Sequence, residues 1–179
     1  MFTRMTIITF VLFSTVLAAC SPAAEPATQP TTSPFQAVYL VQHPGQLSLD
    51  DLQAHPEVAV TENFDEFKQH ALTKIALWID RDAASLVDIQ WLRDTPQKNY
   101  PIVLVGESND LCAFKETLSV FDIEGPQADC SAEAPGFSVW MLREDTGSSV
   151  SAFMKGYSQT PTVQNILDIT NALLEGKTK

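Results

Sequence analysis

The side chains with the most chemistry to offer stand where apolar runs end. Lys74 to Ile79 is apolar at nearly every position, and Asp80-Arg81-Asp82 follows at once. Two carboxylates two positions apart after a strand suit phosphoryl transfer. One can attack phosphorus while the other manages the leaving-group proton beside a clamped metal ion. The same pair can simply cap the helix that follows, since an aspartate accepts from the first free N–H groups. His43 ends the first apolar run, and Glu107 and Ser108 follow the fourth. His43, Asp80, Asp82, Glu107 and Ser108 are therefore the candidate ligand-binding residues, and none is assigned a catalytic role. Gly106-Glu107-Ser108-Asn109 opens like a nucleophile elbow but lacks its closing glycine. There is no Gly-x-Gly-x-x-Gly, no phosphate-binding Gly-x-x-x-x-Gly-Lys-Ser/Thr loop and no histidine pair four residues apart. Neither a cofactor nor a dedicated metal site is expected.

The elements that must position these residues alternate. Ala37 to Val41, Val58 to Thr61, Lys74 to Ile79, Pro101 to Val105 and Phe137 to Leu142 read as strands. Helical spacing lies between them: a short stretch opened by Ser48, one from Asn63 to Leu72, one from Ala83 to Arg93 and one from Asp110 to Phe121. A short helix over Ser151 to Tyr157 and a longer one from Thr162 to Glu175 close the chain, the latter with Thr160 as cap, Pro161 as first residue and Gly176 as stop. Alternating strands and helices imply an α/β domain. The expected architecture is a three-layer, doubly wound, mostly parallel five-stranded sheet, flavodoxin-like with strand order 2-1-3-4-5. The alternative is a thioredoxin-like or mixed sheet in which Ile123 to Asp129 supplies an extra edge strand. In such sheets ligands sit beyond the carboxyl ends of the strands, where the five candidates fall.

The chain has 179 residues, 45% of them hydrophobic, with 11 Lys and Arg against 22 Asp and Glu. That composition excludes wholesale disorder and leaves too few bases for a nucleic-acid surface. Trp78, Trp91 and Trp140 fall on predicted strands or an amphipathic helix, so core packing accounts for them. Phe153, Met154 and Tyr157 are the candidate apolar patch for a protein partner. Cys112 starts the fourth predicted helix and Cys130 lies in the loop after it; a structural disulfide is expected, with two free thiols or a redox pair as alternatives.

Residues 1–19 carry the sharpest signal. Arg4 is the only charge before Glu25, and an apolar run from Ile7 to Leu17 ends in Ala18-Ala19-Cys20. A cationic head, a short apolar stretch and small residues make a secretory signal. The run is short of the about 20 residues that span a bilayer. Leu17-Ala18-Ala19-Cys20 resembles the lipobox of bacterial lipoproteins. That resemblance implies cleavage before Cys20, diacylglycerol on its thiol and a membrane anchor on the extracytoplasmic face. Residues 20–34 hold Pro22, Pro26, Pro30 and Pro34 among small polar residues and read as a tether. In polyproline form it would reach roughly 40 Å. Residues 35–179 form the single α/β domain. Cleavage removes Arg4 and no acid, so anionic lipid repels the mature chain and the lipid itself must hold it.

Two further resemblances bear on activity. Asp80-x-Asp82 after an apolar strand looks like the first motif of haloacid-dehalogenase-type phosphatases, which implies Asp80 as nucleophile, Asp82 as acid, and Ser108 and Lys115 on the phosphate. Ala84 stands where that family usually has Thr or Val, and Glu144-Asp145 matches its later metal-binding pair poorly. An aspartate ending the third strand also resembles receiver domains. Gln42-His43 replaces their acidic pair, Gly106 their Ser/Thr and Arg143 their Lys, so the metal and phosphoryl charge have no holders. The globular part resembles exported proteins of Gram-positive bacteria, which implies a cell type and no activity. The expected function is a membrane-anchored binding or protein-interaction domain, with a cell-envelope protein or a small ligand as partner. A metal-dependent phosphatase using Asp80 and Asp82 is the alternative.

Overall fold

Continuous runs of buried apolar residues build the centre of the sheet. A computed structural model describes residues 34–42, 45–73, 75–94, 100–120, 129–130, 134–144 and 150–176. Strands β1 (Ala37–Leu40), β3 (Ala76–Asp80) and β4 (Ile102–Val105) are buried at every position, as strands covered on both faces must be. Strand β2 (Val58–Thr61) lies beside β1 and is half open. These four run parallel in the order β2-β1-β3-β4.

Helical cover lies on both faces. Ala37, Tyr39, Ala76, Trp78 and Val103 share one core with Leu52 of α1 (Leu49–Ala54) and Val163, Ile166 and Leu173 of α4 (Val163–Leu174). Val38, Leu40, Leu77, Ile79 and Leu104 share the other with Phe67 of α2 (Phe64–Ala71), Leu92 of α3 (Ile89–Asp94) and Phe114. Trp78 and Trp140 are buried in these cores, and Trp91 packs edge-on to Phe64 at 5.4 Å. The two residues expected to open these helices act as their caps: Ser48 accepts from Asp51 N, and Asn63 from Asp65 N and Glu66 N.

Four expectations are corrected. The fifth strand, β5 (Phe137–Glu144), runs antiparallel to β4, so the sheet is mixed. The reason lies in the connection. Cys112 begins a π-helical segment (Cys112–Thr117) just past the carboxyl end of β4, and Cys130 is disulfide-bonded to it, Cα to Cα 5.6 Å. The chain is thereby held at the carboxyl edge, where Gly106 N donates to Gly136 O at 2.8 Å and Ser108 N to Ala134 O at 2.8 Å. It enters β5 from that edge.

Secondly, Ser151 to Tyr157 is no helix but most of a sixth strand, β6 (Val150–Tyr157), paired antiparallel with β5. Its side chains follow a period of two: Phe153 and Tyr157 join one core, Met154 the other. Tyr157 stacks on its register partner Phe137 at 4.9 Å. The apolar residues proposed as an exposed patch are thus partly packed and split between two faces. Thirdly, Ala83 to Arg93 divides into a 3-10 segment (Arg81–Leu86) and α3. Fourthly, α4 is capped by Thr162, which accepts from Asn165 N at 3.2 Å, and not by Thr160. Residues 123–128 of the alternative edge strand lie outside the described residues.

Candidate functional site

Asp80 is the last residue of β3 and is fully buried, although its carboxylate stands at the edge where ligands were expected. Its chemistry is consumed within the chain. Oδ2 accepts from the Tyr39 hydroxyl and from Gln46 N at 2.7 Å, and Oδ1 accepts from Asp82 N at 3.0 Å. The last bond makes Asp80 the cap of the 3-10 segment. A buried carboxylate demands such donors, because desolvation without hydrogen bonds is costly.

Tyr39 lies on β1 with its ring 6.4 Å from that of Trp78. Burial above all, then the Asp80 charge and the hydrogen bond to it, push the Tyr39 hydroxyl far above its ordinary value. It stays protonated and donates. Gly45 closes this corner: a Cβ there would meet Val41 Cγ2 at 2.4 Å and both Asp80 Oδ2 and the Tyr39 hydroxyl oxygen at 3.2 Å. Only glycine lets the loop lie so close to the carboxylate.

The other candidates part company. The Asp82 side chain is exposed, unlike that of Asp80. Glu107 is buried; its Oε1 accepts from Asn109 N at 2.8 Å and its carbonyl from Ser138 Oγ at 2.8 Å. Asn109 Oδ1 in turn accepts from Leu111 N and Cys112 N, so the loop organises the helical turn after it. Ser108 packs toward β5 and β6: its Cβ is 2.8 Å from where a Gly136 Cβ would sit, and its carbonyl oxygen is 1.8 Å from where a Gly156 Cβ would sit. The structure thus gathers Tyr39, Gly45, Gln46 and Asp80 on the β1 side and Glu107 and Ser108 on the β5 side. His43 lies outside the described residues. Among the described residues no group of three or more His, Cys, Asp or Glu is placed to hold a metal ion. No described helix is long and apolar enough to cross a membrane.

Tyr39, Gly45 and Gln46 were missed in the sequence. Tyr39 offered one signal, a hydroxyl inside the apolar run Ala37-Val38-Tyr39-Leu40-Val41, which needs a partner once buried. Gln46 contributes only its backbone N–H, which side-chain type does not reveal. Comparison with protein-family models finds no match, and neither curated protein sequences nor solved structures give one.

Proposed function

We propose that this chain is an exported lipoprotein, held through lipid on Cys20 to the extracytoplasmic face of a cell membrane. Residues 35–179 serve as a non-catalytic binding or protein-interaction domain. The anchoring half of the reading is supported by the lipobox-like Leu17-Ala18-Ala19-Cys20 and the proline-rich stretch after it. The binding half is carried by one observation: Asp80, the best nucleophile candidate, has both carboxylate oxygens committed to groups of the chain and no exposed surface. An in-line attack on phosphorus needs a free oxygen within about 3.5 Å of the substrate. Asp80 here is a structural carboxylate, which weighs against the phosphatase alternative. The order β2-β1-β3-β4 with helices on both faces supports a flavodoxin-like plan for the parallel strands, extended by an antiparallel β5–β6 pair. In that plan the binding face is the carboxyl edge, with a small ligand or a cell-envelope protein as its partner.

Two measurements test this. Mass spectrometry of the chain expressed in a bacterium should find diacylglycerol on Cys20, lost in Cys20→Ser; an unmodified full-length chain ends the anchoring reading. A thermal-shift screen of the detergent-solubilised protein against nucleotides, flavin, phosphate esters and cell-wall fragments tests the binding half. A ligand at a hundred times its dissociation constant adds about 2.7 kcal/mol, enough to move the midpoint by several degrees. Turnover of phosphate esters that Asp80→Asn abolishes would replace this reading with the enzymatic one.

A further inference from the structure

We propose that the switch point of the parallel strands is a site for a carboxylate ligand, held by the Arg81 guanidinium and the Gln46 side-chain amide above Gly106. This rests on the reading of the carboxyl edge as the binding face, and it names the ligand class for that face. Three observations carry it. The first is place. The chain leaves β1 for α1 on one face of the sheet and leaves β3 for the 3-10 segment and α3 on the other. A crevice belongs where such neighbouring strands part, beyond their carboxyl ends. Gln46 lies in the loop after β1, and Arg81 follows the last residue of β3.

The two side chains converge there. A Cβ on Gly106 would stand 2.9 Å from Gln46 Cγ, 3.1 Å from Gln46 Cδ and 3.2 Å from Arg81 Cβ. Gly106, at a φ of 99°, ends β4 in a conformation that favours glycine and leaves this point open. Asp80 sets the backbone beneath both: it accepts from Gln46 N and from Asp82 N, the residue after Arg81.

The second observation is that these donors are unengaged. Gln46 gives Asp80 its backbone N–H, and its side chain is exposed; Arg81 is half-buried. Neither side chain has a hydrogen-bond or ion-pair partner among the described residues. Other cations are committed: Lys68 to Asp65 at 2.7 Å, Arg93 to Ser119 O at 3.0 Å, and Lys155 over the Tyr157 ring at 5.2 Å. Lys115, also unpaired, lies further along the π-helical segment. Only Arg81 joins a second free donor at the switch point.

The third fixes the class. A phosphate is ordinarily cradled by backbone amides. Here Gln46 N and Asp82 N serve Asp80, Gly106 N serves Gly136 O, and Ser108 N serves Ala134 O. One guanidinium beside the exposed Asp82 also leaves a dianion uncompensated. A carboxylate carries one charge, and its two oxygens match the planar fork of an arginine.

The test follows amide resonances of the isotope-labelled full chain in detergent, titrated with acetate, lactate, glycyl-glycine, glycyl-glycine amide and inorganic phosphate. Saturable shifts centred on Gln46, Arg81 and Gly106 are expected from the carboxylates and not from the amide. Arg81→Gln should weaken binding at least about tenfold, as loss of a charged hydrogen bond does. Arg81→Lys should fall between, and Gln46→Ala, which keeps the backbone N–H, should give a smaller loss in a chain that folds as the wild type. Glycyl-glycine tighter than the free acids assigns the site to peptide carboxylates; the reverse order assigns it to small acids. Phosphate binding as tight as any carboxylate overturns the ligand class. Saturable shifts elsewhere on the carboxyl edge, unchanged in Arg81→Gln, overturn the site and leave the binding face standing. Absence of any saturable shift overturns the site, while the thermal-shift screen separately decides the binding face.

Discussion

Replacing Tyr39 with phenylalanine separates the two roles the buried carboxylate corner could play. The ring is fully buried, and phenylalanine fills the same space, so the substitution deletes a hydroxyl and opens no cavity of consequence. What is lost is one hydrogen bond to Asp80, which leaves the carboxylate with the Gln46 and Asp82 amides. Bonds to charged groups contribute about 1.5–3 kcal/mol, so Tyr39→Phe should cost about 2 kcal/mol at pH 7. Alkali supplies a second, independent reading. In the unfolded chain Tyr39 ionises at its ordinary value of 10.0; in the folded protein burial and Asp80 keep it protonated well beyond that. Above pH 10 the unfolded state therefore binds fewer protons than the native one, and stability falls by about 1.4 kcal/mol per pH unit. The stabilisation is complete below pH 10 and is drawn down as pH rises. Phenylalanine cannot titrate, so the variant escapes this share of the loss, while Tyr100 and Tyr157, raised by burial, give both proteins a common background. Urea titrations at pH 7 and pH 11 should show a gap of about 2 kcal/mol shrinking to less than about 1. A variant within about 0.5 kcal/mol of wild type at pH 7, with the two pH curves parallel, would refute the bond and the burial together.

Three other perturbations follow from the packing. Gly156→Ala places a Cβ 1.8 Å from the Ser108 carbonyl oxygen, a backbone atom, and should cost about 1–3 kcal/mol by chemical denaturation; a neutral result would mean that the loop after β4 does not rest on β6. Replacing both Cys112 and Cys130 with serine removes a crosslink spanning 18 positions and should lower stability by about 3 kcal/mol on the loop-entropy estimate. An unchanged urea midpoint under oxidising conditions would count against the bridge. Thr162→Ala should cost about 1 kcal/mol through the lost cap on Asn165 N, whereas Thr160→Ala should be near neutral. The reverse order would restore the cap at Thr160.

The parallel half of the sheet was legible because its strands are short apolar runs closed by polar turns, and each following helix announced its start with Ser48 or Asn63. The second half was not, and the cause is specific. Val150 to Tyr157 places Phe153, Met154 and Tyr157 at spacings that fit a helical stripe as well as a strand packed on both faces. Gly156 weighed toward the strand, since a glycine inside a helix costs about 1 kcal/mol relative to alanine. The direction of β5 was open to inference too. A bridge from Cys112 to Cys130 holds the chain at the carboxyl edge, so a parallel β5 would have required it to cross the whole sheet between Cys130 and Phe137. Taken together, the disulfide and the strand favoured an antiparallel entry that neither suggested alone. Thr160-Pro161-Thr162 offered two capping hydroxyls, and proline at the first helical position is common enough to favour the wrong one.

The candidate site shows why carboxylate spacing alone is weak evidence for chemistry. Asp80 and Asp82 were singled out because phosphoryl transfer and helix capping ask for the same residue at the same place, the end of a strand where free N–H groups point outward. What separates the two uses is the state of the oxygens, and that depends on Tyr39 and the Gly45-Gln46 loop, remote from Asp80 in sequence. With the Tyr39 hydroxyl and the Gln46 amide on one oxygen and the Asp82 amide on the other, the carboxylate is spent on holding β1, β3 and the loop between β1 and α1 in one arrangement. Asp80→Asn would keep the shape but place an NH2 where a donor already points, either toward the Asp82 amide or toward the Tyr39–Gln46 pair. It should therefore destabilise the fold by about 1–3 kcal/mol, whereas a nucleophile's replacement commonly leaves stability unchanged or improved. A loss of stability in this variant marks Asp80 as a structural residue. A gain, with the Tyr39→Phe penalty absent, would return it to the catalytic reading.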